Sequence, residues 1–493
     1  MPASLSTGIA GLDDVLAGGL TPHRLYVIEG LPGSGKTTLA IQFLIEGAQR
    51  GERVVHISLS ETEEELRAVA RSHGWSLDGV QLYELMPAEA ELGPDRQYTV
   101  FHPAEMELSA TTRAILSRVD EVKPTRVVID SLSEIHLLAG SALRYRRQIL
   151  ALKQFFAGRR CTVLLLDDQA ETPEGLHPRS IAHGVIVLEQ MQPEFGGERR
   201  RLRVSKYRGV QFHGGYHDFV IRRGGVEVFR RLVAAESCEQ PPGARLSSGS
   251  ADIDALLGGG LDPGSSTLIT GATGTGKSTL AVQFALAAAQ RGAHSALFIF
   301  DESLGTLIGR IEGLRLPMRR FVDSGHIRLH PVDPAELSPG EFAHAVLRAA
   351  GDESTAIVVI DSLNGYLNAM PEERFLTIQL HELLSRLGRL GVATVLVGVQ
   401  PELIGASSGT PGDVSYIADT IVLLRYFETQ GEVRQAISVV KKRGGAHERT
   451  LREYRIEPGG PRVGPPLREF HGVLTGVPAY HGSSMPLLPD RKP

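Results

Sequence analysis

The sequence predicts an α/β protein built twice over: two tandem domains, each a mostly parallel, twisted sheet flanked by helices. Three observations carry that expectation. Short β-branched runs alternate with longer amphipathic stretches, such as Leu39 to Gln49, Leu280 to Gln290 and Phe375 to Leu390. The strand candidates are unbroken apolar runs, Arg126-Val-Val-Ile-Asp130 and Ile357-Val-Val-Ile-Asp361 among them, of the kind buried on both faces of a parallel sheet. Landmarks of the first half also return in the second at nearly constant offsets, which a duplication explains and shared composition does not.

The landmark with the most chemistry is Gly30-Leu-Pro-Gly33-Ser34-Gly35-Lys36-Thr37, repeated as Gly271-Ala-Thr-Gly274-Thr275-Gly276-Lys277-Ser278. Both fit G-x-x-x-x-G-K-[ST], follow an apolar run (Leu25 to Ile28; Thr267 to Thr270) and open a helical pattern, the context this phosphate-binding loop requires. Glycines let successive backbone N–H groups turn inward around phosphates, and the helix N-terminus adds partial positive charge. Lys36 and Lys277 are expected to reach the β- and γ-phosphates of ATP, and Thr37 and Ser278 to offer a hydroxyl to Mg2+. Thr38 and Thr279, which follow, complete the nucleotide-binding set. An ordinary glycine-rich turn does not explain two octets in register.

Asp130 and Asp361 close their apolar runs at the position where an acid holds Mg2+ through water, opposite the P-loop hydroxyl. The plainer reading is an Asp that caps the next turn. Ser131 and Ser362 follow as hydrogen-bonding partners. Hydrolysis needs a further carboxylate to orient water or take its proton. Candidates follow the strand after each P-loop helix: Glu61 in the first half, Asp301 and Glu302 in the second. Helix capping competes for this stretch, because Ser60-x-x-Glu63 and Thr62-x-x-Glu65 are both capping boxes. We assign Glu61, Asp301 and Glu302 to catalysis and Glu63 to Glu65 to capping.

At 493 residues the chain suits two cores. Expected boundaries are 1–235 for the first domain, 236–246 for a linker, 247–457 for the second domain and 458–493 for a Pro/Gly-rich tail. The net charge of −5 does not favour nucleic acid. No run approaches the roughly 18–20 apolar residues that span a bilayer, and the two cysteines, Cys161 and Cys238, show no metal spacing. The expectation is a cytoplasmic protein without membrane partners.

The Ser/Thr-Gly…Leu-Asp13…Gly-Gly19-Leu opening returns around Asp254 and Gly260. Ser205-Lys206-Tyr-Arg208-Gly209 returns as Val440-Lys441-Lys-Arg443-Gly444. With the paired P-loops and strand-end acids, these motifs make residues 5–457 resemble the KaiC family of double RecA-like ATPases. The resemblance implies a double-ringed homo-hexamer with ATP at subunit interfaces in both rings. It also implies hydrolysis in the first ring, autophosphorylation in the second, and regulatory protein partners. Lys206, Arg208, Lys441 and Arg443 would then reach a neighbour's nucleotide, for which the rigid fork of Arg is suited. Gln169 and Gln400 would sense the γ-phosphate.

Two departures stand out. Where the family has two adjacent glutamates, this chain has Ser60-Glu61 and Asp301-Glu302. In the family's phosphorylated stretch, Ser415 matches the serine but Tyr416 replaces the threonine. The leading expectation is a hexameric ATPase with serine autokinase activity at Ser415, working as an ATP-driven signalling or timing switch. The alternatives are a nucleotide-binding scaffold with little turnover and a RecA-like recombinase. Against the latter, the loop after Gln400 carries no Lys or Arg through Asp413.

Overall fold

The computed structural model describes residues 4–85, 103–168, 178–193, 196–233, 243–352, 354–368, 375–399, 416–429, 431–473 and 479–480. It forms two compact units, Met1–Arg231 and Leu232–Pro493. Strands of the first are β1 (Leu25–Glu29), β2 (Val54–Ser58), β3 (Val80–Glu84), β4 (Arg126–Asp130), β5 (Thr162–Asp167), β6 (Gly184–Met191), β7 (Arg199–Tyr207), β8 (His217–Arg222) and β9 (Gly225–Phe229). Those of the second are β10 (Ser266–Gly271), β11 (His294–Ile299), β12 (Ile327–Pro331), β13 (Thr355–Asp361), β14 (Ala393–Val399), β15 (Thr420–Thr429), β16 (Glu432–Lys442), β17 (Arg452–Glu457) and β18 (Gly460–Pro466). A short hairpin of β19 (Phe470–His471) and β20 (Ala479–Tyr480) follows.

The sheet orders correspond strand for strand: β3-β2-β4-β5-β1-β6-β7-β8-β9 and β12-β11-β13-β14-β10-β15-β16-β17-β18. The first six strands of each order pair in parallel and the last three add antiparallel. These are the two tandem RecA-like α/β domains that the sequence predicts. The second sheet runs past Glu457, where the sequence reading ended its core. Gly459 and Gly460 turn the chain at φ 100° and 111°, and β18 pairs back on β17.

Because side chains alternate along a strand, each sheet builds a core on both faces. In β4, Val128 packs with Leu39, Phe43 and Leu44 of the P-loop helix, while Val127 and Ile129 pack with Ile115, Ile135 and Ile149. β13 repeats the division with Val359 on one side and Val358 and Ile360 on the other. The P-loop helices, Lys36–Gln49 and Lys277–Gln290, start after Gly35 (φ 97°) and Gly276 (φ 89°). That left-handed backbone favours glycine, and a Cβ there would also lie 2.4 Å from Ile221 Cδ1 and 2.3 Å from Ile456 Cδ1, which would have to turn aside. The duplicated opening motif is structural: Asp13 accepts from Thr7 N–H and from the Ser6 and Thr7 hydroxyls, and Asp254 accepts from Ser248 N–H and from the Ser247 and Ser248 hydroxyls.

One feature of the first unit has no copy. Arg126, fully buried at the start of β4, donates to Glu52 at 2.8 and 2.9 Å and to the Ser6 and Phe43 carbonyls at 2.9 Å. Its guanidinium lies 4.7 Å from the Phe43 ring centroid. Ile357 holds the matching position, opposite Ala393 in the register that pairs Arg126 with Thr162. Removing one partner of such a pair leaves buried acceptors unsatisfied, so Arg126→Ala is expected to destabilise the first unit by ~3–5 kcal/mol. Urea unfolding followed by the fluorescence of Trp75, which packs on this core, reads the change. An unchanged midpoint would show that the pair contributes nothing net.

Candidate nucleotide sites

Loops at the carboxyl ends of the parallel strands bring the predicted residues together, as open α/β sheets do for their ligand crevices. In the first unit Thr37 Oγ1 donates to Asp130 Oδ2 at 2.8 Å. Lys36, almost fully buried, donates to the Gly30 and Leu31 carbonyls at 2.8 and 3.0 Å and pairs with Asp168 Oδ1 at 2.7 Å. Asp168 also accepts from Ser133 at 2.9 Å and from Ser131 at 3.5 Å. Burial would raise this carboxyl, but the Lys36 hydrogen bond and charge outweigh it and hold it below the ordinary range. Burial pushes Asp130 up to about 6 against the Thr37 hydrogen bond. His56, 3.8 Å away, is driven down to about 4 by its own burial and stands as a neutral ring.

Glu61 follows β2. Its backbone exchanges hydrogen bonds with the Ser58 hydroxyl at 2.6 and 2.9 Å, which fixes the turn. Its Oε2 is buried and has no hydrogen-bond partner among the described residues. Burial raises this carboxyl to about 7, helped by Asp130, Glu65 and Asp168. The capping box that forms is the one between Thr62 and Glu65. Glu63 instead pairs with Arg67 at 2.7 Å. Of the acids assigned to capping, Glu65 closes a box with Thr62 and Glu63 does not cap, while Glu61 is turned inward.

In the second unit Lys277 donates to the Ala272 carbonyl at 2.8 Å, and Thr275 Oγ1 donates to the same oxygen at 2.8 Å. Among the described residues no carboxylate comes within ion-pair distance of Lys277, and burial lowers its pKa. Val399 occupies the place of Asp168: β14 meets β10 in the register in which β5 meets β1. Asp361, hydrogen-bonded to Ser278, is raised by burial to about 6. Asp301 accepts from the Ser362 hydroxyl. Glu302 is held by Arg310 at 2.5 Å, and Arg310 also reaches the Thr279 hydroxyl at 2.9 Å. Both acids here are thus engaged, whereas Glu61 keeps an oxygen free.

The basic pairs lie elsewhere. β7 pairs antiparallel with β6, so Lys206 and Arg208 fall at the end of the sheet where β1 and β6 begin, opposite their own P-loop. Lys206 donates to the Arg179 and Ser180 carbonyls at 2.5 and 3.2 Å, and Arg208 to Ser180 O at 2.9 Å. Lys441 and Arg443 repeat this on Tyr416 O at 3.5 and 2.6 Å. Gln169, Gln400 and Ser415 lie outside the described residues.

Sequence reasoning missed Asp168, Arg179 and Arg310. Arg179 clamps the buried Glu29 at 2.6 Å. The signal for Asp168 was present, as two acids end the apolar run Thr162-Val-Leu-Leu-Leu where the second half has Gly398-Val399. Arg310 carried none, because a residue six positions after the first helical residue, Leu304, does not announce which way it reaches.

Comparison with known proteins agrees with this arrangement. A family model described as ATPase: KaiC matches residues 5–233 and again 246–468. The chain is 28% identical over 488 residues to the circadian clock protein KaiC3 of Synechocystis sp., covering 97% of this chain and 95% of that protein. It is 28% identical over 490 residues to the circadian clock oscillator protein KaiC of Synechococcus elongatus, at 97% and 92% coverage. The KaiC of Thermosynechococcus vestitus is 28% identical at 96% and 91%. Matched once over each P-loop and its strand-end aspartate, the chain belongs to the KaiC ATPase family.

Proposed function

We propose that this protein is a cytoplasmic, double-ringed homo-hexameric ATPase that hydrolyses ATP in the first unit and phosphorylates its own Ser415 in the second. The observation that carries the reading is the buried ammonium of Lys277. Among the described residues it has only a carbonyl for a hydrogen-bond partner, and it sits inside a P-loop next to a hydroxyl–aspartate pair, a setting that a phosphate would complete. The P-loop backbone from Gly30 and Gly271 to Thr38 and Thr279 cradles the phosphates. Thr37 with Asp130, and Ser278 with Asp361, fit a hard oxygen-liganded cation. A Mg2+ held by those residues would supply positive charge to the β- and γ-phosphates. Lys206, Arg208, Lys441 and Arg443 face away from their own P-loops and so serve a neighbouring copy, which makes assembly and nucleotide binding depend on each other.

In the first unit Glu61 orients water and accepts its proton as the water oxygen bonds to the γ-phosphorus. The bond from that phosphorus to the bridging oxygen breaks, and ADP leaves with the electron pair. In the second, the Ser415 hydroxyl replaces water, with Asp301 or Glu302 taking its proton. Differential binding of ATP and its products is the only lever that shifts ring packing, which is the basis for a signalling or timing switch read by regulatory partners.

Lys277→Ala is expected to abolish phosphate incorporation at Ser415, whereas Lys36→Ala mainly weakens assembly; intact-mass and peptide mass spectrometry after incubation with Mg·ATP checks both. Equal incorporation in wild type and Lys277→Ala, with second-site binding confirmed lost, overturns the assignment. First-site hydrolysis, isolated in Lys277→Ala, requires Glu61 as carboxylate. Its pKa lies above the usual value, so kcat/KM falls as pH drops, with half its plateau near about pH 7. A flat profile between about pH 5.5 and 8 would remove Glu61 as the base. To admit a phosphate, Lys36 must release Asp168. Asp168→Asn is therefore expected to tighten first-site ATP binding on the order of tenfold, ~1.4 kcal/mol, by nucleotide titration in the Lys277→Ala background. Weaker binding would make Asp168 a positioning group instead.

A further inference from the structure

His56, in the middle of β2, is a polar side chain with none of its surface exposed. Among the described residues neither of its ring nitrogens has a hydrogen-bond partner. Burying polar atoms without partners is costly, and folded proteins keep few of them. An imidazole retained under that penalty needs a reason.

The second unit shows that packing is not the reason. β2 meets β4 in the register that sets His56 opposite Val128, and β11 meets β13 in the register that sets Leu297 opposite Val359. Val128 and Val359 each stand two residues before the strand-end aspartate, so His56 and Leu297 hold the same place in the two sheets. Leu297 is fully buried there, in one apolar cluster with Val359 and Leu280. An apolar side chain therefore fills the position, and a ring with two polar atoms is not required by shape.

The polar group that His56 faces is Asp130, whose Oδ2 lies 3.8 Å from His56 Nε2. The same oxygen accepts from Thr37 Oγ1 at 2.8 Å. Other polar groups of the crevice are engaged: the Ser58 hydroxyl with the Glu61 backbone, and Lys36 with Asp168. A carboxylate oxygen has two lone pairs, so Thr37 leaves one for a second donor. Burial keeps the His56 ring neutral, and a neutral imidazole has one N–H to give. Carried on Nε2, that hydrogen faces Asp130, and a closing shift of roughly 1 Å makes the contact a hydrogen bond.

The residues at this place fit the divalent cation assigned to it above. Thr37 and Asp130 are adjacent hard oxygen donors. The imidazole is buried more deeply than either, which suits it to steady a ligand rather than to be one. Partners of that kind fix a ligand's orientation and strengthen metal binding.

We propose that His56 is a positioning residue of the first site: its Nε2–H donates to Asp130 Oδ2 and holds that carboxylate in the orientation that binds the cation of the nucleotide. The second unit, with Leu297, lacks this donor, which gives the two sites unequal demands for Mg2+. The inference rests on the cation role of Thr37 and Asp130 proposed above.

A non-hydrolysable ATP analogue, titrated calorimetrically into the full chain carrying Lys277→Ala, tests it. The titration is run once with saturating Mg2+ and once with EDTA, and the ratio of the two dissociation constants measures how far the cation tightens binding. His56→Leu, which installs the side chain that the second unit accepts, is expected to cut that ratio on the order of tenfold. It does so by weakening binding in Mg2+ while leaving binding in EDTA unchanged. The thermal midpoint of this variant stays level or rises, because two unpartnered polar atoms leave the core. His56→Gln, which keeps an N–H donor near the place of Nε2, is expected to restore most of the ratio. A merely structural role for His56 would move both affinities together or neither. An unchanged ratio in His56→Leu, or equal losses in the Leu variant and a folded Gln variant, overturns the proposal and leaves the cation reading standing. Absence of any tightening by Mg2+ in the Lys277→Ala parent overturns that reading, and the proposal with it.

Discussion

An ammonium group taken out of water has to meet negative charge or accept a lowered pKa, and both P-loops of this chain are arranged around that requirement. The helix that begins at Lys36 or Lys277 buries the lysine stem because Gly35 and Gly276 let a strand of the same sheet pack against the turn. The strand-end aspartates, pushed up by the same burial, are steadied by the Thr37 and Ser278 hydroxyls. Everything else in the crevice is placed relative to these two charges. Glu61 feels Asp130 and Asp168, and Asp361 feels Glu302 and Asp301.

The duplicated units answer the requirement differently. The first supplies its own counter-ion, Asp168, and so holds Lys36 in an ion pair that an incoming phosphate must replace. Among the described residues the second leaves Lys277 without an ion-pair partner, and its polar groups hold the acids, Ser362 on Asp301 and Arg310 on Glu302. One site is self-neutralised with a free carboxylate oxygen; the other is poised for an anion with its carboxylates tethered. A duplication that preserved strand order, the P-loop lysines and the strand-end aspartates has thus altered the charge beside them, with Val399 in the place of Asp168.

Fold and phosphate loops were legible in the sequence because they depend on local rules. Apolar runs ending in acid specify parallel strands, glycine spacing specifies a backbone that turns inward, and repetition at constant offset specifies a second copy. The Thr62-x-x-Glu65 capping box was likewise readable as a local motif, although the equally local Ser60-x-x-Glu63 pattern forms no box. Pairings across the crevice were not. Lys36 with Asp168, Glu29 with Arg179 and Glu302 with Arg310 join residues from different strand ends or from a helix turned over the site. The first two partners are chosen by sheet order, with β5 and β6 on either side of β1, which no window of sequence contains, whereas Arg310 lies eight residues from Glu302 on the helix that follows it. Sequence by itself determined that two nucleotide-binding units exist and which residues line their loops. Only the tertiary structure decided which charges are neutralised and which are left open, because burial and the distance between side chains are properties of packing.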